Sequence, residues 1–136
     1  MIFETNKEKG RAGMALAIAY FGANGYTVSI PLNDTQWYDL IIEKDNIFQT
    51  VQCKATGSQD GTISFRSKGG TSGKEYDNIM NHSQLDYLFC LDNNGNIYNI
   101  PFQDLCNFGC SNSIKLRTEP TANHQGFQTY KYIVHI

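Results

Sequence analysis

The stretch Trp37-Tyr38-Asp39-Leu40-Ile41-Ile42-Glu43-Lys44-Asp45-Asn46-Ile47-Phe48-Gln49-Thr50-Val51-Gln52-Cys53-Lys54 reads as two strands, Tyr38 to Glu43 and Ile47 to Lys54. Asp45-Asn46 between them is a tight turn of the kind that closes a β-hairpin. A two-residue turn pairs Lys44 with Ile47, which sets Asp39 opposite Gln52. Side chains alternate along a strand, so Lys54 shares the face of Gln52 and lies diagonally from Asp39. Leu40, Ile42, Val51 and Cys53 then point the other way, toward a core. A slip of one residue would undo this convergence.

Working outward, Lys7 to Asn24 has the pattern of a helix, with Asn6 as its N-cap, Glu8 in the first turn and Gly25 as the stop. Ala12, Ala15, Leu16, Ala19 and Ala23 form a small-residue stripe that would let it lie close on a sheet. Tyr26 to Pro31 is β-rich and leads into a polar loop at Leu32 to Gln36. Gly57 to Gly73 reads as loop, apart from a strand-like piece near Thr62 to Phe65. A second hairpin, Leu85 to Leu91 with Ile97 to Ile100, turns at Asn94-Gly95. A short helix from Pro101 to Phe108 and closing strands at Ser113 to Arg117 and Phe127 to Ile136 complete the pattern. The expected fold is α/β: a mixed central sheet with an N-terminal helix packed on it, in one domain spanning 1–136.

Composition narrows the function. Of 136 residues, 40% are hydrophobic and 18% charged, enough apolar material to exclude a disordered chain. No apolar run approaches the ~20 residues that span a bilayer, and no basic region followed by an apolar run marks a secretory signal. A cytoplasmic protein is expected, with Cys53, Cys90, Cys106 and Cys110 as reduced thiols. The cysteines and the scattered His82, His124 and His135 lack zinc-ligand spacing. Eleven Lys+Arg against 13 Asp+Glu leave a net charge of -2, so a nucleic-acid partner would need segregated basic surface.

A carboxylate, an amide and a lysine on one hairpin face suit metal-assisted phosphodiester hydrolysis. Mg²⁺ is a hard cation that takes oxygen ligands and keeps several waters. Asp39, the Gln52 amide and a backbone carbonyl of that strand, that of Cys53, would supply the oxygens. The Lys54 ammonium would orient the attacking water or stabilise charge building on the phosphate. An exposed hairpin face bearing an Asp–Lys pair is also common in proteins of any function.

At these residues the sequence resembles the PD-(D/E)XK nuclease superfamily, and within it the small homing endonucleases of the group I intron-encoded type and their bacterial and phage relatives. The matching segments are Thr5 to Gly10, Gly25 to Leu32, Trp37-Tyr38-Asp39-Leu40-Ile41 and Val51-Gln52-Cys53-Lys54. Leu85 to Phe89, Ile97 to Pro101 and Leu116 to Pro120 extend the resemblance over most of the chain, with a weaker stretch from Gly57 to His82. The resemblance implies a restriction-endonuclease-like fold and a Mg²⁺-dependent endonuclease (Mn²⁺ being an alternative ion) acting on double-stranded DNA. Asp39 would bind metal, Gln52 would stand where the wider superfamily has Glu, and Lys54 would be catalytic. A homo-oligomer, dimer or tetramer, is implied as well, because two cuts call for two active sites. Two other readings stand beside it. One is a nuclease fold without catalysis that serves as a DNA-binding or protein-interaction module; the other is a junction resolvase or RNA-cutting nuclease.

One position departs from the pattern. The branch carries a helix glutamate within Lys-Gly-x-x-Gly-Glu-Ala, where this chain reads Lys9-Gly10-Arg11-Ala12-Gly13-Met14-Ala15. Met14 offers Mg²⁺ no oxygen. Glu8 lies six residues earlier in the sequence, which is about 240° away around a helix. Glu4 would have to fold in from the N-terminal segment. Metal binding is therefore weakened, or another carboxylate has moved in, or catalysis is lost.

Candidate phosphate contacts are Lys7, Lys9 and Arg11 at the helix start, Arg66, Lys68 and Lys74 in a Gly- and Ser-rich stretch, and Lys115 and Arg117 near the end. Each is equally readable as ordinary solubilising charge.

Overall fold

The computed structural model describes residues 5–33, 35–69, 75–120 and 125–136, with backbone alone at 67–69 and 75–77. Of the expected contacts and ligands, Glu4, Lys74 and the Lys68 side chain lie outside the described residues.

Helix α1 spans Asn6–Ala23, one residue earlier than the sequence pattern suggests. Thr5, rather than Asn6, is the N-cap: its Oγ1 accepts the Glu8 N–H at 3.1 Å. The buried stripe is Gly13, Ala17 and Phe21, while Ala15, Ala19 and Ala23 face solvent. The expected alanine stripe is thus rotated off the true contact. Apolar periodicity gives no weight to Gly13, yet it is buried where the helix lies against the sheet, with room for no more than a methyl group. A Cβ on Gly13 would stand 3.5 Å from Ala55 Cβ and 3.8 Å from the Lys54 carbonyl oxygen.

The main sheet has six strands in the order β1-β2-β3-β7-β8-β10, where β1 is Thr27–Ser29, β2 Leu40–Lys44, β3 Ile47–Ala55, β7 Tyr87–Leu91, β8 Ile97–Pro101 and β10 Ile133–Val134. All neighbours are antiparallel except β3 and β7, so the sheet is mixed, as expected. Asp45 and Asn46 both take positive φ, 53° and 65°, the pair of left-handed residues that a twist-matched two-residue hairpin turn needs. Gly95, at φ 88°, closes the β7–β8 turn. Two small sheets lie outside the main one: β4 (Thr62–Ser64) with β9 (Ser113–Lys115), and β5 (Arg66–Gly69) with β6 (Glu75–Asn78).

Two expectations fail here. Among the described residues of the Gly57 to Gly73 stretch there is a second strand beyond the expected one, β5, which pairs with β6 in register from Arg66↔Asn78 to Gly69↔Glu75. The Gly and Ser content of the stretch masks strand alternation. Phe127 to Ile136 is not one strand either. A 3₁₀ turn at Thr129–Tyr132 precedes the two-residue β10. Thr129 ties this turn down, its Oγ1 donating to the Lys115 carbonyl at 2.8 Å while accepting the Arg117 N–H at 2.9 Å.

The sheet is covered on both faces. On one, α1 buries Ala17 and Phe21 against Leu40, Ile42, Val51, Phe89 and Leu91. On the other, Leu88, Cys90, Tyr98 and Ile100 meet the small sheets and helix α2 (Phe102–Phe108). Gln52 and Lys54, next to Leu88 and Cys90 in the β3–β7 register, belong to this second face. Burying both faces of the central strands supplies most of the stabilisation, at roughly 25 cal/mol per Å² of apolar surface removed from water.

Candidate active site

The β2–β3 ladder runs in the expected register from Lys44↔Ile47 to Leu40↔Val51 and then stops. Asp39 does not continue it. Its N–H donates to the Val51 carbonyl at 2.8 Å, one residue out of step, so Asp39 and Leu40 both stand against Val51. This is a β-bulge, a device that re-aims a side chain where pairing ends. The predicted Asp39–Gln52 opposition is therefore corrected. Instead, Asp39 Oδ2 accepts the Cys53 N–H at 2.8 Å, taking the hydrogen bond that Tyr38 would make in an unbroken ladder.

The result is a notch. Strand β3 continues to Ala55 while β2 begins only at Leu40, leaving the last residues of β3 open on that edge. Backbone groups of a strand residue point the same way, so the Cys53 carbonyl faces the notch alongside the N–H that Asp39 occupies. Burial pushes the Cys53 thiol well up, with Asp39 and Cys90 adding to the effect, so its sulfur keeps its proton. The backbone carbonyl, not a thiolate, is its available donor.

Asp39 and Lys54 are electrostatic neighbours. Burial raises the Asp39 carboxyl, opposed by the Cys53 N–H and by the Lys54 charge. Burial lowers the Lys54 ammonium, opposed by Asp39 and Cys90. Two half-buried groups of opposite sign, each sustaining the other's charge, suit a site that must act on an anion.

The start of α1 sits at the same end of the sheet. Gly13 lies over Lys54 and Ala55, and one turn earlier the Lys9 ammonium lies over Gly57, 2.6 Å from where a Cβ there would stand. Lys7, Arg11, Arg66 and Lys115 are exposed, Lys9 and Arg117 half-buried. Met14 is half-buried and packs against the helix-side core. Lys9 and Gly13 face the sheet, which puts Glu8 and Met14 on opposite flanks, each about 100° around the helix from one of them. Trp37, two residues before Asp39, stacks on His82 with ring planes 7° apart at 5.1 Å and meets Tyr38 edge-on. This packing fixes the segment that leads into the bulge.

The family model for PD-(D/E)XK endonucleases matches residues 4–132. The chain belongs to the PD-(D/E)XK endonuclease family. Among solved structures, a bacterial homing endonuclease shares the fold at 22% identity and a TM-score of 0.62, over 95% of this chain and 87% of that one. No curated protein sequence matches.

For the divalent ion that PD-(D/E)XK enzymes use, the notch presents oxygen donors: the Asp39 carboxylate, the Cys53 carbonyl and, on the adjoining face, the Gln52 amide. The Cys53 N–H takes only Oδ2 of Asp39, which leaves Oδ1 as the carboxylate's second oxygen for the ion. The described residues hold no group of three His, Cys, Asp or Glu side chains able to ligate a metal. The donors fit a hard cation that keeps most of its waters, with a single fixed negative charge. The bulge and the Cys53 N–H anchor escaped sequence reasoning because no residue type announces an off-register hydrogen bond. The pairing rule used to find the site was the one the bulge breaks.

Proposed function

We propose that this protein is a metal-dependent endonuclease hydrolysing phosphodiester bonds of double-stranded DNA at the β2–β3 notch. The observation that carries the reading is the bulge at Asp39, which brings its carboxylate to the Cys53 N–H and into electrostatic range of Lys54. Asp39, the Cys53 carbonyl and Gln52 would hold Mg²⁺ or Mn²⁺. When bound, the ion supplies Lewis-acid stabilisation of the phosphoryl oxygen. Lys54 orients the attacking water and offsets charge developing on the phosphate. Lys9, which lies over Gly57 at the same end, would hold the flanking phosphate backbone, while the exposed Lys7 and Arg11, about 200° around the helix from it, would meet other phosphates. The fold shared with a bacterial homing endonuclease supports a homing-type duplex cutter. A homo-oligomer with paired notches would cut both strands.

A second reading, a nuclease fold that binds DNA without cutting it, is favoured by Met14, an apolar side chain packed on the helix-side core. Nicking of supercoiled plasmid with Mg²⁺ or Mn²⁺ separates the two. Metal-dependent nicking that disappears in Lys54→Ala supports the enzyme. DNA binding without nicking supports the module, and nicking that survives Lys54→Ala puts the chemistry elsewhere.

A further inference from the structure

Away from the notch, the end of α2 and the C-terminal 3₁₀ turn present an aromatic ridge that the nuclease reading does not use. Phe108 meets Phe127 edge-on at 5.6 Å, and Phe127 stacks on Tyr132 with ring planes 10° apart at 5.4 Å. Phe108 is 53% exposed. It is the last residue of α2, and Gly109, at φ 87°, reverses the chain directly after it. The ring therefore stands out from the helix end instead of folding into the core.

The ridge divides two open grooves. The first, about 520 Å³, has the Phe108, Phe127 and Tyr132 rings as one wall, with Lys131 and Asn107 on its rim. The second, about 400 Å³, uses the other side of Phe108 and Phe127, with Lys115 and Asn112. Both grooves share the Phe108 and Phe127 rings and each adds a single lysine; the first also holds the amides of Asn107 and Gln128 and the Asp104 carboxylate, the second the amide of Asn112. Lys131, Lys115, Asn107 and Asn112 are all exposed. Asp104 also lines the first groove, but its Oδ2 accepts the Tyr132 hydroxyl at 2.8 Å. Burial and that bond raise the phenol to about 12, so the tyrosine keeps its proton and remains the donor. One oxygen of the carboxylate is engaged in fixing the ridge, and Lys131 in the same groove offsets its charge toward a phosphate.

We infer that this ridge is a binding site for single-stranded nucleic acid, taking one unstacked nucleotide in each groove. A base offers a π-face to the rings and edge groups to the amides, and its phosphate meets the lysine. What favours a strand over a globular partner is an exposed ring wall shared by two adjacent grooves, each with its own lysine and at least one amide, a layout that suits successive nucleotides. The site is separate from the notch and does not depend on catalysis there.

The test is fluorescence anisotropy of a labelled 12-mer oligothymidylate and of a duplex of equal length, in EDTA at low salt, with the full chain. Phe108→Ala and Lys131→Ala should each weaken oligothymidylate binding about tenfold, within the range expected for removing one stacking or phosphate interaction. Phe108→Leu fills the same space without a π-face and should weaken it nearly as much, which excludes a merely structural effect. Duplex affinity and metal-dependent plasmid nicking should be unchanged in Phe108→Ala, so failure of the notch reading and failure of this one remain distinguishable. Unchanged oligothymidylate affinity in Phe108→Ala, or none in the wild type, overturns the proposal. Loss of a self-associated species in Phe108→Ala by sedimentation also overturns it, by making the ridge a subunit contact.

Discussion

The Asp39 carboxylate is held by the backbone N–H of Cys53 at 2.8 Å, while the N–H of Asp39 itself goes to the Val51 carbonyl, also at 2.8 Å. These two bonds pin the residue at both ends across a bulge, so the carboxylate sits at the edge of β3 rather than over one face of the sheet. Its remaining oxygen and the Cys53 carbonyl are left toward the gap where β2 has not yet begun. A charge-assisted bond of this kind is worth more than a neutral one.

Replacing Asp39 by Ala or Lys54 by Ala should each reduce plasmid nicking by about two to three orders of magnitude, the scale of losing one preorganised electrostatic group. The double replacement should cost little more than either single one, because the pair acts as a unit. Initial nicking rates at saturating metal check both statements.

Met14→Glu should tighten metal binding and raise nicking, by adding a second carboxylate from the helix. Met14 is half-buried against the helix-side core, so the same change should lower stability by about 1 kcal/mol or more through loss of that packing. Metal titration by calorimetry, with urea melts of the same samples, reads the two effects separately. Adding Lys54→Ala should remove the gain in nicking but not the gain in metal affinity.

The Asp39–Lys54 pair predicts a pH response of definite sign. Asp39 is raised above its ordinary 3.8 in the folded state. Its contribution to stability is therefore present below that value and is lost as pH rises through the raised one. Lys54 is lowered from 10.5, so its contribution is present above that value and is lost as pH falls through the lowered one. Both shifts have the same cause, the cost of burying a charge, and each is partly offset by the opposite charge of the other group. Lys54→Met removes the charge that opposes the Asp39 shift and should move the Asp39 titration to still higher pH, observable by carboxyl-carbon NMR.

Two glycines should respond oppositely to alanine. Gly61 has φ +75°, and a Cβ there would stand 2.4 Å from the Leu116 carbonyl oxygen, itself part of the backbone. Gly61→Ala should destabilise by more than about 1 kcal/mol. Gly13 is helical, and its added Cβ would meet Ala55 at an ordinary 3.5 Å. Gly13→Ala should stabilise by about 0.5–1 kcal/mol, since alanine relieves the entropic cost of glycine in a helix. Chemical denaturation of both variants decides the contrast.

Replacing Lys9 and Arg11 by Ala should reduce the slope of log affinity against log salt for duplex DNA by about one for each phosphate no longer neutralised. The same change at Arg66 tests whether the β5–β6 hairpin touches the duplex. An unchanged slope in both variants would move the DNA-binding surface away from this end of the sheet.

Much of this architecture is local and was legible in the residues themselves. The Asp45-Asn46 turn sets the hairpin register because both residues tolerate positive φ, and from Leu40 to Lys44 that register holds residue for residue. The two hairpins, the first helix and the assignment of Leu40, Ile42 and Val51 to the core follow from periodicity and turn chemistry, whereas the mixed sheet was expected alongside the family resemblance, since neither signal marks the parallel pairing of β3 with β7. What needed the tertiary structure is everything set by groups far apart in sequence or by backbone hydrogen bonds. The bulge at Asp39 depends on β2 ending while β3 runs on between β2 and β7, a relation between strands that no residue spacing encodes. Gly13 as the contact of α1, Lys9 over Gly57 and the stack of Trp37 on His82 arise only when the chain closes on itself. Side-chain chemistry nominated Asp39, Gln52 and Lys54. Where the Asp39 carboxylate points was decided by one main-chain N–H, and every residue except proline carries one, so the sequence holds no mark of it.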